Sequence, residues 1–125
     1  MKEKDVVKYL RQYKQLHYRL EFVENKIIGL KAIGYEDNHS SAVQKKSIND
    51  YINEKDMIIS RMKRIEDLVN LYADTKEGLV IKYNFIEFET LENIADHMHY
   101  SIATVKRYYK VGLENLKNMI PNDTK

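Results

Sequence analysis

Apolar residues recur along the first part of this chain with a period of seven. Val6, Tyr9, Tyr13, Leu16, Leu20, Val23, Ile27 and Leu30 stand 3, 4, 3, 4, 3, 4 and 3 positions apart. That spacing puts them on one seam of an α-helix about 37 Å long at about 1.5 Å per residue. Val7, Leu10, Phe22 and Ile28 widen the stripe. A second seam of the same spacing follows at Ile48, Tyr51, Lys55, Ile58, Met62, Ile65, Val69 and Tyr72, widened by Ile52, Ile59 and Leu68. Residues 34–46 separate the two and carry turn and cap residues (Gly34, Asp37, Asn38, Ser40, Ser41). Two helices of equal length joined by one loop predict an antiparallel coiled-coil hairpin. Its apolar surface exceeds what one two-helix contact buries, so either the C-terminal module or a second copy packs on the hairpin; self-association, a dimer first, is the expectation. Lys55, on a seam, reads as a snorkelling stem or as a polar residue that fixes register.

Near Asp74 the seven-residue pattern stops. Asp74 and Glu77 have capping-box spacing and open a helix over 76–84 that turns Leu79, Val80 and Tyr83 inward. Phe85, Ile86 and Phe88 then form a short link to Thr90, which caps the next helix with Glu92 in its first turn. Ile94 and Ala95 lie inside that helix, and Met98 follows one turn on. His99 and Tyr100 make a corner, and Ser101 opens a last helix running to about residue 119, with Pro121 as its stop. Val105 and Tyr108 face back into the core. Two helices meeting at a steep angle need a small residue at the crossing, the role expected of Ala95. The expected fold is all-α: a helical hairpin over 1–74, a helix-turn-helix domain over 75–121 and a frayed tail over 122–125.

Composition narrows the function classes. The 125 residues are 43% hydrophobic and 32% charged, with one proline and four glycines, which suits long helices and not a disordered chain. There is no cysteine, which removes disulfides and thiolate metal sites. No apolar run suits a membrane span or a signal core, so a cytoplasmic protein without a membrane role is expected. The net charge of +2 says little alone, but its distribution is uneven. Residues 101–117 hold Lys106, Arg107, Lys110 and Lys117 against Glu114, a net of +3; residues 87–96 hold four acids and no base.

The last helix therefore carries the candidate chemistry. A helix of this kind fits the major groove of DNA, where residues near its N-terminus meet base edges. Its outer face holds Ser101, Ile102, Ala103, Thr104, Lys106, Arg107 and Lys110. Arg107 suits a bidentate contact to guanine, and Ile102, Ala103 and Thr104 suit a thymine methyl. Lys106 and Lys110 suit phosphates, and Thr90 opens a helix whose N-terminal amides suit another. About three neutralised phosphates would give a salt slope near −2.7 per module. Asp96, His97 and His99 bring no fourth ligand, so no metal or other cofactor is expected. No phosphate loop, nucleophile elbow or catalytic carboxylate pair occurs, so no enzyme is expected. The ten tyrosines could stack on bases, but Tyr9, Tyr13, Tyr51 and Tyr72 sit on the seams and read as core.

Residues 79–116 resemble region 4 of bacterial sigma factors and the related phage regulators of the ArpU/RinA type. The shared pieces are Ile94-Ala95, Ser101 with Thr104-Val105, and Leu113 with Leu116. A helical segment ahead of the module is similar to the phage activator group. The resemblance implies a sequence-specific transcriptional activator of phage or prophage late genes that binds double-stranded DNA, with RNA polymerase left open as a partner. Two positions depart from the pattern: His99 stands at a corner usually held by glycine, and Gly112 where alanine is more common. Two other expectations remain open. Small terminase subunits also join such a motif to a helical hairpin, and a coiled-coil adaptor would bind protein alone.

Overall fold

The structure is a computed structural model that describes residues 3–34 and 41–120, with side chains over 5–32 and 48–120. It is helical, with no strand among the described residues: α1 (Glu3–Gly34), α2 (Ser41–Asn70), α3 (Lys76–Ile81), α4 (Leu91–Met98) and α5 (Ile102–Leu116). None of these helices is long and apolar enough to cross a membrane. The seam residues of α1 are buried at Val6, Tyr9, Tyr13, Leu16, Val23 and Ile27 and half-buried at Leu20 and Leu30. On α2, Ile58, Met62, Ile65 and Val69 are buried, while Ile48, Tyr51, Lys55 and Tyr72 are half-buried. Burial thus follows the seven-residue period along both helices.

Element ends differ from the expected ones where several local solutions compete. α2 begins at Ser41, so the break expected to last through residue 46 is shorter. Ala42, Gln44, Lys45 and Lys46 are good helix formers and extend the helix backwards. The turn residues Asp37, Asn38 and Ser40 and the tail 122–125, with Pro121 before it, lie outside the described residues. α2 ends at Asn70, and i→i+3 bonds carry the chain from Leu71 to Thr75. The cap of α3 is Thr75, one residue after the expected Asp74. Its hydroxyl accepts from Gly78 N–H at 3.0 Å and donates to the Tyr72 carbonyl at 2.7 Å. Gly78 is required here, because a Cβ would overlap that same carbonyl.

α3 runs straight into a π-helical turn over Lys82–Ile86, closed by Glu87 N–H on the Lys82 carbonyl at 3.2 Å. Phe85 and Ile86 are therefore helical and not part of a link. The extra residue lets Phe85 sink into the core, stacked on Tyr109 with ring centres 5.9 Å apart. Phe88 then takes a left-handed backbone, φ 62°. Asn84 Nδ2 donates to the Glu89 carbonyl at 2.8 Å and Glu89 N–H to the Tyr83 carbonyl at 3.0 Å, which fixes the link leading into α4.

By compactness the chain divides into residues 15–63 and a second unit of 1–14 with 64–125. In the 15–63 unit, Arg19 and Glu54 pair through two hydrogen bonds of 2.5 and 3.0 Å, and Lys55 lies 3.4 Å from Glu24. Lys55 thus keeps its seam position by leading its ammonium out to a carboxylate.

In the other unit, the two helix ends belong with α3–α5 because they carry buried apolar residues of their own: Val6, Tyr9 and Leu10 from α1, Ile65, Leu68 and Val69 from α2. The Tyr13 hydroxyl donates to Glu66 at 2.7 Å, and its ring lies 6.1 Å from that of Phe88. Burial, with the Glu66 carboxylate beside it, pushes the phenol well above its ordinary value. Val80, Ile94, Ala95 and Val105 form a cluster on which Tyr83, Leu91, Met98, Tyr100, Tyr108 and Tyr109 pack. α5 packs mainly on α3, and Gly112 sets how closely. A Cβ there would stand 2.6 Å from Ile81 Cγ1 and 2.9 Å from the Glu77 carbonyl. The position where alanine is more common in the resembling family is the one that lets the helices touch. Ala95, expected at the close crossing, is buried in the cluster.

Candidate nucleic-acid interface

α4 and α5 are each set by a hydroxyl cap. Thr90 accepts from Asn93 N–H at 3.1 Å, and Ser101 accepts from Thr104 N–H at 3.1 Å. Such a cap satisfies one of the amides a helix start leaves open, worth about 1 kcal/mol. Between the two helices, His99 takes φ 63°, ψ 40°. Tyr100 N–H reaches the Ala95 carbonyl at 3.0 Å and His99 N–H that of Asp96 at 3.3 Å, the paired bonds of a Schellman end. His99 thus takes the left-handed backbone that a glycine usually supplies at such a corner, and its imidazole is exposed, so no packing opposes it.

This sharp corner orients α5. Val105, Gly112, Leu113 and Leu116 are buried along one side, with Tyr108 and Tyr109 half-buried beside them. The other side presents Ile102, Ala103, Lys106, Arg107 and Lys110, all exposed. Ser101 is exposed too, while Thr104 is half-buried. These two are bound to each other, Ser101 Oγ donating to Thr104 Oγ1 at 2.9 Å. Their hydroxyls serve the start of the helix first. Lys106 and Lys110 are one turn apart, and the Arg107 guanidinium lies 5.8 Å from the Tyr108 ring centre. Seven of the expected residues thus gather on the first three turns of α5. Thr90 stands apart from them, at the start of α4.

Sequence reasoning missed Lys76. Its ammonium lies 5.4 Å from the Tyr100 ring centre, and Tyr100 meets Tyr108 edge-on at 5.6 Å. A hydrogen bond with the Tyr100 hydroxyl, then the nearby tyrosine oxygens, raise the lysine above its ordinary value and keep it charged. This cation stands beside the corner residue. Its contact crosses 24 positions of chain, so no local pattern marks it. His97, grouped above with Asp96 and His99, turns elsewhere: its Nδ1 lies 3.5 Å from Glu89, and its ring meets Tyr83 edge-on at 4.5 Å. Among the described residues, no three such side chains converge on a point that could hold a metal.

The arrangement puts cations on an exposed helix face, with apolar contact groups at its N-terminal end. It can approach a polyanion with a groove wide enough for a helix. A scan against family models and searches of curated proteins and of solved structures found no match to this chain.

Proposed function

We propose that the chain is a sequence-specific DNA-binding transcriptional regulator, with α4 and α5 as a helix-turn-helix and α5 as its recognition helix in the major groove. One observation carries the reading. On α5 the side opposite the buried Val105–Leu113–Leu116 face is exposed, and from Ile102 through Leu113 it holds three cations and no acid. Arg107 is the residue for guanine, Ile102 and Ala103 approach bases, and Lys106 and Lys110 neutralise phosphates. Lys76, beside the corner, adds a further phosphate contact. The resemblance to sigma region 4 and to phage activators supports the same role: a cytoplasmic activator working near promoters.

A single helix of this size makes a small interface. In this reading α1 and α2 form a hairpin whose exposed Tyr18, Phe22, Ile28, Met57 and Ile59 join two copies. Two recognition helices about 34 Å apart would then read two half-sites. The test is retardation of a duplex carrying the promoter next to the protein's own coding region, against a scrambled duplex of equal length. Retention of the first at sub-micromolar protein in moderate salt, with the second released, is expected. Equal retention of both would remove sequence specificity from the reading.

A further inference from the structure

On the unit formed by 1–14 and 64–125, a cleft of about 230 Å³ opens between α1 and the link into α4, lined by Arg11, Lys14, Asn84, Phe88, Glu89 and Thr90 among others. Arg11 and Lys14 are three residues apart on α1, so they share a face, and both are exposed. Lys14 lies 5.6 Å from the Phe88 ring centre, which holds its ammonium toward the link. Among the described residues, no carboxylate pairs with either cation. The one carboxylate of the lining, Glu89, stands 3.5 Å from His97. On the far side is Thr90, whose hydroxyl is taken by Asn93 N–H, while the amides of Leu91 and Glu92 have no partner within the helix.

We propose that this cleft holds a backbone phosphate of DNA, gripped by Arg11 and Lys14 from α1 over the start of α4. This inference rests on the reading of α5 as a major-groove helix and extends it: α1 becomes part of the DNA-binding surface as well as a packing element. A cavity holding two unpaired cations, with one wall open to solvent, suits a group that arrives with a net negative charge and several acceptor oxygens. Because the contact is to the backbone, it adds affinity without sequence preference.

The test is fluorescence anisotropy with the promoter duplex and the scrambled duplex at about 50 to 200 mM salt. Arg11→Gln/Lys14→Gln should bind both duplexes about tenfold more weakly, with a salt slope shallower by about 0.9, the share of the one phosphate lost. Arg11→Lys/Lys14→Arg keeps both charges and should retain the wild-type slope, which separates charge from folding. Lys26→Gln/Lys31→Gln, which removes the same charge elsewhere on α1, should leave the slope closer to wild type. If the wild type prefers its own duplex but Arg11→Gln/Lys14→Gln keeps the full slope, the cleft holds no phosphate and only the reading of α5 survives. An equal loss from Lys26→Gln/Lys31→Gln would likewise reduce the cleft to general charge. If the wild type binds neither duplex, the reading of α5 fails and the inference falls with it.

Discussion

Residues 15–63 and the unit containing α3–α5 use apolar side chains in opposite ways. In the first, Val23 is completely buried, yet Tyr18, Phe22, Ile28, Met57 and Ile59 are exposed, Ile28 and Met57 to about two-thirds. Ion pairs stand beside the seam: Arg19 with Glu54, and Lys55 with Glu24. In the second, Val6, Leu10, Val80, Ile81, Ile94 and Val105 are completely buried, and single residues set the approach of one helix to another. The second unit exposes Leu71, Ile102, Val111 and Met119 as well, but beside many completely buried side chains, whereas in residues 15–63 Val23 is the one completely buried side chain among the described residues. A long amphipathic pair with a wide stripe can bury only part of that stripe unaided, and the proposed function assigns the surplus to a second copy, whereas a short-helix unit closes a core of its own.

The largest expected effects separate the two regions. Ile94→Ala should cost about 2–5 kcal/mol, since the buried side chain leaves a cavity among Val80, Ala95 and Val105. Ile59→Ser should leave monomer stability within about 0.5 kcal/mol but make thermal melting depend more steeply on protein concentration if two copies meet there. Denaturant titration at two concentrations checks both. A concentration-independent loss of several kcal/mol at Ile59 would break the contrast. Next comes Gly112→Ala, which pushes a methyl group against Ile81 and the Glu77 carbonyl and should destabilise by about 1–3 kcal/mol, even though alanine favours helix. A gain in melting temperature would show that α3 and α5 can separate without cost.

That glycine shows where sequence reasoning reached its limit. Gly112 reads as a weak helical position because propensity is local, while its use depends on α3 lying against it. The seven-residue seams were legible, because burial along α1 and α2 repeats with the period of the pattern. The caps at Thr90 and Ser101 were legible too, since a hydroxyl binding an amide three residues on is a local event. Thr75 displaced Asp74 as a cap because both side chains could do the work, and the fit of Gly78 against Tyr72 decided between them. The π-helical turn had no local signal; it follows from seating Phe85 against Tyr109. The exposed basic face of α5 could be read from spacing alone, whereas Lys76 beside Tyr100, and Arg11 and Lys14 beside Thr90, are brought together only by the fold.

Smaller effects sharpen the comparison further. His99 pays for a left-handed backbone without packing in return, so His99→Gly should raise stability by up to about 1 kcal/mol, read by denaturant midpoint. A loss there would mean that the imidazole holds the corner. Tyr13 ties the compact unit to alkaline pH. Its folded value is raised above the unfolded phenol value near 10, so its contribution is complete below about pH 10 and is lost as pH rises further. Wild type should therefore lose stability above that pH more steeply than Tyr13→Phe. In the 15–63 unit the sign reverses: Arg19 lowers Glu54, so that pair contributes above the ordinary carboxylate value and fades as pH falls through it. Both partners are in open solvent, so the acid effect is the smaller one.

In the proposed function α5 reads bases with Arg107 and anchors on phosphates with Lys106 and Lys110. The most direct measurement is a competition titration of the promoter duplex against its scrambled counterpart for wild type, Arg107→Ala and Lys110→Ala. Arg107→Ala should lose about 1–3 kcal/mol of discrimination between the duplexes while still binding both. Lys110→Ala should weaken both equally and make the salt slope shallower by about 0.9. Unchanged discrimination in Arg107→Ala, or a loss in Lys110→Ala confined to one duplex, would contradict the account.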